Sequence, residues 1–268
     1  MPKRNNAKWP EIKEKDGFRE IDGKIWLYGI HAVRAALENQ KRIKHKLMIT
    51  PNAFKKMESE ILKSSVTVEL IEPRKFIPLL KKDAVHQGVA LEVDKLFWGS
   101  LPDVCVTNDE NKLVLLLDRV SDPQNVGAIL RSAEVFGATA VASPSRYSAP
   151  ETGALAKAAS GALERQPYLR FTNLARAIVS LKKMGYFCIG LDRAGSLDIV
   201  SGLQKVPRSS IALIVGSEGP GLRELTLKNC DDIFHIPSFE EFASLNVSNA
   251  AAVSLFITRN QLKVWNGI

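Results

Sequence analysis

The stretch KLVLLLDRVSDPQNVGAILRSAEVFGA, residues 112–138, decides the fold. Its apolar run from Leu113 to Leu117 is typical of a strand that is buried on both faces of a parallel sheet. Asp122 and Pro123 then predict the start of a helix, because aspartate is a favoured N-cap and proline a favoured first helical residue. A buried strand followed by a helix is the repeating unit of an α/β sheet that is covered on both sides.

The same alternation continues through the second half of the chain. The further predicted strands are ATAVAS, YFCIGLD, SIALIVGS and DIFHIP, which begin at Ala138, Tyr186, Ser210 and Asp232. Helices are predicted over residues 123–136, 151–160, 173–184, 222–228 and from Val247 to Gln261. Ligands of such sheets bind beyond the carboxyl ends of the strands, so we expect the chemistry at the strand ends.

Residues 25–94 predict a separate small α/β domain. Its strands are IWLYG, HKLMIT, VTVELI and GVALEV, and its helices are HAVRAALENQ, AFKKMESEILK and FIPLLKK. The polar, aperiodic residues 1–24 predict a flexible basic tail, and residues 95–111 a linker. The larger domain then covers residues 112–268.

Composition and charge narrow the class of protein. The 268 residues are 45% hydrophobic, but no apolar run is long enough to span a bilayer, and the N-terminus lacks the apolar stretch of a signal peptide. The three cysteines lie far apart without metal-ligand spacing, which favours a reducing cytoplasm. Of the net charge of +8, residues 1–100 carry +7. This asymmetry predicts that the N-terminal part contacts a polyanion such as nucleic acid, with a merely solubilising surface as the alternative.

Polar residues follow three strands of the larger domain. Asn125 and Arg131 lie on the helix after the first strand, where the arginine could also pair with Asp118 for structural reasons. The turn GSEGPG from Gly216 brings backbone close to a ligand, but it lacks the lysine and the glycine spacing of a phosphate loop. Its Glu218 would repel a phosphate. An ordinary glycine-rich turn is the alternative interpretation.

The third strand end is IPSFEEFASLNVSNAAAVSLF, from Ile236. Here Ser244 or Asn246 can cap the following helix through a side-chain oxygen. Close packing of the alanines near a ligand or a dimer interface fits equally well.

Together these segments resemble the three motifs of the SpoU/TrmH family of RNA ribose 2′-O-methyltransferases, in the SPOUT superfamily. The matching patterns, in the family's order, are D-x-x-N-x-G-x-x-x-R, G-S-E-G-x-G and S-L-N-V-S. AKAASGALERQP from Ala156, YGIHAVRAAL from Tyr28 and HQGVALEV from His86 extend the resemblance to roughly residues 25–262. It is closest to the subgroup that methylates a guanosine of 23S ribosomal RNA.

The resemblance implies a fold, a cofactor and a set of residues. The expected fold is a C-terminal SPOUT domain with a mostly parallel sheet and a deep trefoil knot, plus a small N-terminal α/β RNA-binding domain. The expected enzyme is a homodimer that uses S-adenosylmethionine and no metal. The implied catalytic residues are Asn125, Arg131, Glu218, Ser244 and Asn246. The implied cofactor-binding residues are Val215, Gly216, Gly219, Ile236, Pro237, Leu245 and Asn246. The candidate RNA contacts of the basic domain are Arg34, Lys41, Arg42, Lys44, Lys46, Lys55 and Lys56.

The chemistry leaves two roles open for Arg131. The family assigns it as the base that takes the proton of the 2′-hydroxyl, whereas a protonated arginine would instead stabilise the developing alkoxide and hold a phosphate. Glu218 is expected either to lie near the sulfonium group of S-adenosylmethionine or to hydrogen-bond the helix that bears Arg131. Asn125, Ser244 and Asn246 are expected to position the reacting groups.

One departure from the family pattern bears on specificity. Residues 238–243 read SFEEFA where the family commonly has a small, glycine-containing stretch, and Asn249 stands where an apolar residue is usual. The alternatives are the same chemistry on tRNA or on rRNA for antibiotic resistance, and a non-catalytic RNA-binding or ribosome-assembly protein. The absence of a G-x-G-x-x-G fingerprint disfavours a dinucleotide-dependent oxidoreductase.

Overall fold

The structure, a computed structural model, describes residues 23–76, 80, 84–106, 111–207, 210–239 and 244–262. These residues form two β-sheets, one from each half of the chain. The predicted tail falls almost wholly outside the described residues, and so does most of the predicted helix FIPLLKK. Glu240 and Glu241, the unusual acids before the third motif, also lie outside them.

The N-terminal half forms a four-stranded mixed sheet. Its elements are β1 (Lys24–Tyr28), α1 (Ile30–Glu38), β2 (Lys44–Ile49), α2 (Pro51–Lys63), β3 (Thr67–Leu70), a 3₁₀ turn (Pro73–Phe76) and β4 (Val89–Asp94). The strand order is β1-β4-β2-β3, in which β4 runs antiparallel to both neighbours and β2 pairs with β3 in parallel. The four predicted strands and the first two predicted helices are therefore confirmed.

The C-terminal half forms a seven-stranded sheet. Its first elements are α3 (Leu101–Cys105), β5 (Leu113–Asp118), α4 (Pro123–Val135), β6 (Ala140–Pro144), α5 (Gly153–Ala159), β7 (Tyr168–Phe171) and α6 (Leu174–Lys183). They are followed by β8 (Tyr186–Leu191), β9 (Leu197–Asp198), α7 (Ile199–Lys205), β10 (Ser210–Gly216), α8 (Glu224–Asn229), β11 (Asp232–His235) and α9 (Val247–Leu262). The order is β7-β6-β5-β10-β8-β11-β9, and each neighbouring pair is parallel. The predicted, mostly parallel α/β sheet is confirmed.

The structure adds elements that the sequence patterns did not predict. These are α3, β7, β9 and α7. Helix α7 had a usable signal, since the Asp198 side chain caps it by accepting from the backbone N–H groups of Val200 and Ser201 at 2.9 Å each. Helix α3 lies inside the predicted linker, where the Cys105 carbonyl accepts a hydrogen bond from the Tyr186 hydroxyl.

The opening stretch is the centre of this domain. All six residues of β5 are buried, because β6 and β10 flank the strand and helices cover both faces. Leu113, Leu115 and Leu117 pack with residues of α4 and α9, whereas Val114 and Leu116 pack with residues of α6 on the other face. Among the described residues, no helix has both the length and the apolar character needed to cross a bilayer.

The two sheets meet at helix α5, which packs against β1. Gly153 begins this helix, and a Cβ atom there would lie 2.3 Å from the Trp26 carbonyl oxygen. A Cβ atom on Gly161, just after α5, would lie 2.9 Å from the Cβ atom of Ala35 in α1. The two domains therefore pack so closely at both glycines that an added side chain would collide.

Candidate active site

Three strands that carry the sequence motifs end at the same edge of the sheet. β5 leads into α4, β10 leads into the glycine-rich turn, and β11 leads towards α9. The last residues of β5 and β10 lie side by side, since Gly216 is paired in register with Asp118. Parallel strands present their carboxyl ends together, so the predicted convergence of the three segments is observed.

Asn125, Glu218 and Asn246 form one hydrogen-bonded cluster at this edge. The amide nitrogen of Asn246 donates to Oε1 of Glu218 at 2.5 Å and to Oδ1 of Asn125 at 3.0 Å. The amide nitrogen of Asn125 donates to the same Glu218 oxygen at 3.2 Å. We call these three residues the motif cluster. One carboxylate thus holds an amide from each of the other two motifs.

Glu218 and Asn246 also fix the start of helix α9. The Asn246 side-chain oxygen accepts from the backbone N–H of Ser248 at 2.9 Å, which is an N-cap bond, so the predicted capping falls to Asn246. The predicted hydrogen bond between Glu218 and the helix that bears Arg131 is observed, and the position of Glu218 relative to the sulfonium stays a prediction. Ser244 lies exposed just before α9.

Arg131 lies exposed on α4, and no hydrogen-bond or ion-pair partner is present for it among the described residues. The alternative that it pairs with Asp118 is wrong. The buried Asp118 carboxylate instead accepts from Nε of Arg223 at 2.8 Å and from the Thr226 hydroxyl at 2.7 Å. Since Asp118 is satisfied elsewhere, the Arg131 guanidinium is available to a ligand.

The turn after β10 requires its glycines for steric reasons. A Cβ atom on Gly216 would lie 2.3 Å from the backbone of Gly221, which folds back over the strand end. Gly219 and Gly221 have φ angles of 81° and 66°, in the left-handed region that favours glycine. The turn is compact, because the Gly221 N–H donates to the Ser217 carbonyl at 3.1 Å.

The predicted cofactor residues lie around this turn and the two ends of the third motif. Val215 is buried in β10, Gly219 and Pro237 are exposed, and Leu245 precedes α9. Among the described residues, the peptide groups of Ile236 and Leu245 have no hydrogen-bond partner. Free peptide groups at a strand end suit a ligand that both donates and accepts hydrogen bonds, so the site fits S-adenosylmethionine, although the individual contacts remain predictions.

Arg42 corrects the predicted set of RNA contacts. Its side chain is wholly buried, and its guanidinium donates to Glu164 and Glu151 at 2.5 Å each and to the Asp94 carbonyl at 2.7 Å. Burial lowers the pKa of Arg42, but the hydrogen bond and charges of Glu164 and Glu151 outweigh burial, so the net pKa is raised. The prediction that Arg42 contacts RNA is wrong, because the residue joins the two domains instead.

Other candidate RNA contacts are also bonded within the protein. Lys44 donates to the backbone carbonyls of Leu37 and Asn39, at 3.0 and 2.8 Å. Arg34 pairs with Glu60, and Lys46 pairs with Glu69, each at 2.5 Å. The three candidates in the exposed class are Lys41, Lys55 and Lys56. Lys41 lies 5.8 Å from the centroid of the Trp98 ring.

The sequence patterns did not predict the residues that pair with Arg42 and with Asp118. Glu151 and Glu164, which neutralise Arg42, lie more than one hundred residues away from it. The available signal was an acid inside a small-residue segment, since Glu164 stands in the quoted stretch AKAASGALERQP. No sequence pattern predicted that Arg223 and Thr226 donate hydrogen bonds to the Asp118 carboxylate.

Two family models match the chain. Residues 112–256 match the SpoU rRNA Methylase family, and residues 26–98 match the RNA 2′-O ribose methyltransferase substrate binding domain. The chain is 35% identical over 237 residues to the 23S rRNA (guanosine-2′-O-)-methyltransferase RlmB of Vibrio cholerae, covering 86% of this chain and 94% of that protein. The RlmB of Salmonella typhi is 36% identical over 236 residues, covering 86% and 96%.

Solved structures share the fold. The SpoU methyltransferase AviRb from Streptomyces viridochromogenes, in complex with AdoMet, superposes with a TM-score of 0.75 at 21% identity, covering 89% of this chain and 90% of that one. An AdoMet-bound rRNA methyltransferase from Sinorhizobium meliloti gives a TM-score of 0.74, with coverage of 90% and 88%. The resemblance inferred from the three motifs is confirmed, and the chain belongs to the SpoU rRNA methylase family.

Proposed function

We propose that this protein transfers a methyl group from S-adenosylmethionine to a ribose 2′-hydroxyl of RNA, namely that of a guanosine in 23S ribosomal RNA. The observation that carries the proposal is the motif cluster. Its three side chains come from the three motifs of a methylase family and meet at one sheet edge through hydrogen bonds. The named relatives, similar over nearly their whole length, support the choice of RNA.

The bound cofactor would supply a methyl group that is already activated by its sulfonium, so the chain's own residues have to bind, align and stabilise charge. The free Arg131 guanidinium can hold a phosphate beside the target ribose and stabilise the 2′-oxygen as its proton passes to solvent water. Because an arginine side chain stays protonated in proteins, we assign it this electrostatic role rather than that of a base.

The motif cluster acts as a positioning device in this proposal. Glu218 orients the amides of Asn125 and Asn246, and through Asn125 it ties the turn after β10 to helix α4. The spacing between the bound methyl group and the ribose then depends on these hydrogen bonds, since methyl transfer needs the reacting atoms in line. Ser244, exposed beside the cluster, is a further positioning candidate.

The assembly that we propose is a homodimer formed through α4 and α9. Both helices expose apolar side chains, with Val135 70% exposed on α4 and Phe256 50% exposed on α9. Leu245, which precedes α9 and adjoins Asn246 of the motif cluster in the sequence, is 48% exposed. Sedimentation at micromolar concentration tests the dimer, and a species of only ~30 kDa, the size of one chain, would contradict it.

We also propose the family's deep trefoil knot and a cytoplasmic location. The strand order supports the knot, because β10 lies between β5 and β8 while the later helix α9 packs back on α4. Substrate RNA would then be shared between the N-terminal domain, through cations such as Lys41, Lys55 and Lys56, and the sheet edge.

The experiment is ribose methylation of purified RNA. The protein would be incubated with labelled S-adenosylmethionine and, separately, 23S rRNA, 16S rRNA or total tRNA, and the 2′-O-methylated nucleotides would be mapped. We expect label in 23S rRNA at a guanosine. Label in tRNA alone would overturn the proposal that 23S rRNA is the substrate. A lack of ribose methylation in every RNA would instead indicate a non-catalytic RNA-binding protein.

A further inference from the structure

The sheet edge beyond β5 and β6 carries two arginines and an exposed tyrosine. Arg119 directly follows β5, and Arg146 and Tyr147 follow β6. The Tyr147 side chain is 75% exposed, and the Arg119 guanidinium carbon lies 5.6 Å from the centroid of its ring. We call these three residues the arginine–tyrosine surface. It lies at the same edge of the sheet as the motif cluster. Its Arg146 and Tyr147 follow β6, whereas Glu218 of the motif cluster follows β10, on the other side of β5.

The loop that bears Arg146 and Tyr147 is held at both of its ends. Arg170, in β7, donates to the carbonyl of Ser145 at 3.2 Å and to that of Ala149 at 2.9 Å. The Ala149 N–H in turn donates to the Val120 carbonyl, in the segment that leads from β5 to α4. The loop is therefore fixed relative to the start of α4, which is the helix that carries Asn125.

Neither arginine is ion-paired within the described residues, and the backbone at Arg119 and Tyr147 is strained. Arg119 and Arg146 are exposed, and neither has an ion-pair partner among the described residues. Arg119 and Tyr147 have φ angles of 61° and 60°, a left-handed conformation that bulky side chains rarely adopt. Such strain concentrates at functional sites, where the surrounding structure holds it in place.

We propose that the arginine–tyrosine surface binds the RNA nucleotides that flank the methylated ribose. Tyr147 stacks on one base while Arg119 covers the other face of its ring, and the Arg119 and Arg146 guanidinium groups contact phosphates. The inference rests on the proposed function and extends it, because it names the residues of the catalytic domain that bind the nucleotides on either side of the methylated one.

The charge and placement of this surface favour RNA over a second copy of the chain. An exposed aromatic ring beside unpaired cations is the combination that binds single-stranded nucleic acid. The exposed apolar residues suited to a protein partner, such as Val135 and Phe256, lie instead on α4 and α9. The segment between β5 and α4 contains one acid, Asp122, whose carboxylate caps α4.

The test measures binding of a 23S rRNA transcript to cofactor-free protein over a series of salt concentrations. Tyr147→Ala should raise the Kd roughly 5- to 150-fold, the range measured for loss of one base–aromatic stack, whereas Tyr147→Phe should keep the wild-type value. The double variant Arg119→Gln/Arg146→Gln should lower the slope of log K against log salt by roughly 1.4–1.8, since each lost phosphate contact removes about 0.7–0.9.

Lys183→Gln is the matched control. Lys183 is exposed at the C-terminal end of α6, just before the start of β8, so it lies at the opposite end of the sheet from the arginine–tyrosine surface, and its loss should leave Kd and slope unchanged. Binding of S-adenosylmethionine should be the same in all these variants. A Tyr147→Ala protein that binds RNA within twofold of wild type overturns the proposal, and so does a change in oligomeric state with unchanged RNA affinity.

The two proposals fail in different ways. Wild-type protein that binds the transcript but methylates no ribose overturns the proposed function, while the binding data still decide the role of the surface. If Tyr147→Ala methylates RNA normally and keeps the wild-type Kd and KM for RNA, only the RNA-binding role of the arginine–tyrosine surface is overturned. In addition, ultraviolet crosslinking of wild-type protein to the transcript should label the peptide that contains Tyr147, and label confined to the N-terminal domain would contradict the inference.

Discussion

Four of the candidate RNA-binding cations in the N-terminal domain are bonded within the chain, whereas three arginines at the sheet edge of the catalytic domain are not bonded within the described residues. The first hundred residues hold nearly all the excess positive charge, yet Arg34, Arg42, Lys44 and Lys46 are each bonded to a carboxylate or a carbonyl of the same chain. The rest of the chain is nearly neutral, but arginines at its sheet edge are exposed and unpaired. These are Arg119, Arg131 and Arg146.

The difference shows that the net charge of a domain does not measure how many of its cations are available to bind a phosphate. A guanidinium that already satisfies two carboxylates, like that of Arg42, adds to the formal charge without being available to a phosphate. Binding surfaces are better identified from cations that lack partners. The predictions below test this distinction, beginning with the largest expected effect.

Arg42→Met should reduce the free energy of unfolding by about 3–5 kcal/mol, because it leaves Glu151 and Glu164 largely buried without their counter-ion. Urea denaturation measures the loss. Lys41→Met is the control, since that neighbouring lysine is exposed and its loss should cost about 1 kcal/mol or less. Equal stability of the two variants would show that the contacts of Arg42 with Glu151 and Glu164 do not stabilise the fold.

Arg131→Ala should lower kcat by about 10²- to 10³-fold, because a free cation aimed at developing charge is removed. The affinity for S-adenosylmethionine should stay within a few-fold, which isothermal titration checks. Arg131→Lys keeps the charge and should recover part of the lost rate. Full activity of the alanine variant would refute the role assigned to this arginine.

Glu218→Ala should lower kcat by up to about 100-fold with little change in the KM for rRNA, since the amides of Asn125 and Asn246 lose their shared acceptor. Single-turnover methylation at saturating RNA measures the effect. Glu224→Ala is the matched control, because that carboxylate is 81% exposed on α8 and its one ion-pair partner in the described part of the chain is Lys228. A loss confined to KM would mean that the motif cluster binds RNA rather than positioning it.

Lys46→Gln should change the Kd for rRNA by less than about twofold, because Lys46 already pairs with Glu69 at the surface of the N-terminal sheet. The salt dependence of binding gives the sharper readout. If Lys46 contacted a phosphate, the slope would fall by about 0.7–0.9, as expected for Arg119 or Arg146. Such a fall would break the contrast between the two domains.

Local patterns predicted most of the fold and the place of the site. Continuous apolar runs identified β5, β8 and β10, and the Asp122-Pro123 pair identified the start of α4, because burial and capping depend on neighbouring residues. The short strands β7 and β9 were missed, since two to four residues give too little periodicity. Helix α3 was missed because its pattern falls in a segment that reads as a linker.

The sequence by itself determined the alternating α/β order, the three motifs and the strand ends at which they lie. Only the tertiary structure decided which groups pair. It assigned Glu218 to Asn125 and Asn246, gave Arg42 to Glu151 and Glu164, and left Arg131 free. The physical reason is sequence distance: the partners of Arg42 lie over one hundred residues away, so no local periodicity records the contact that removes its charge from the surface.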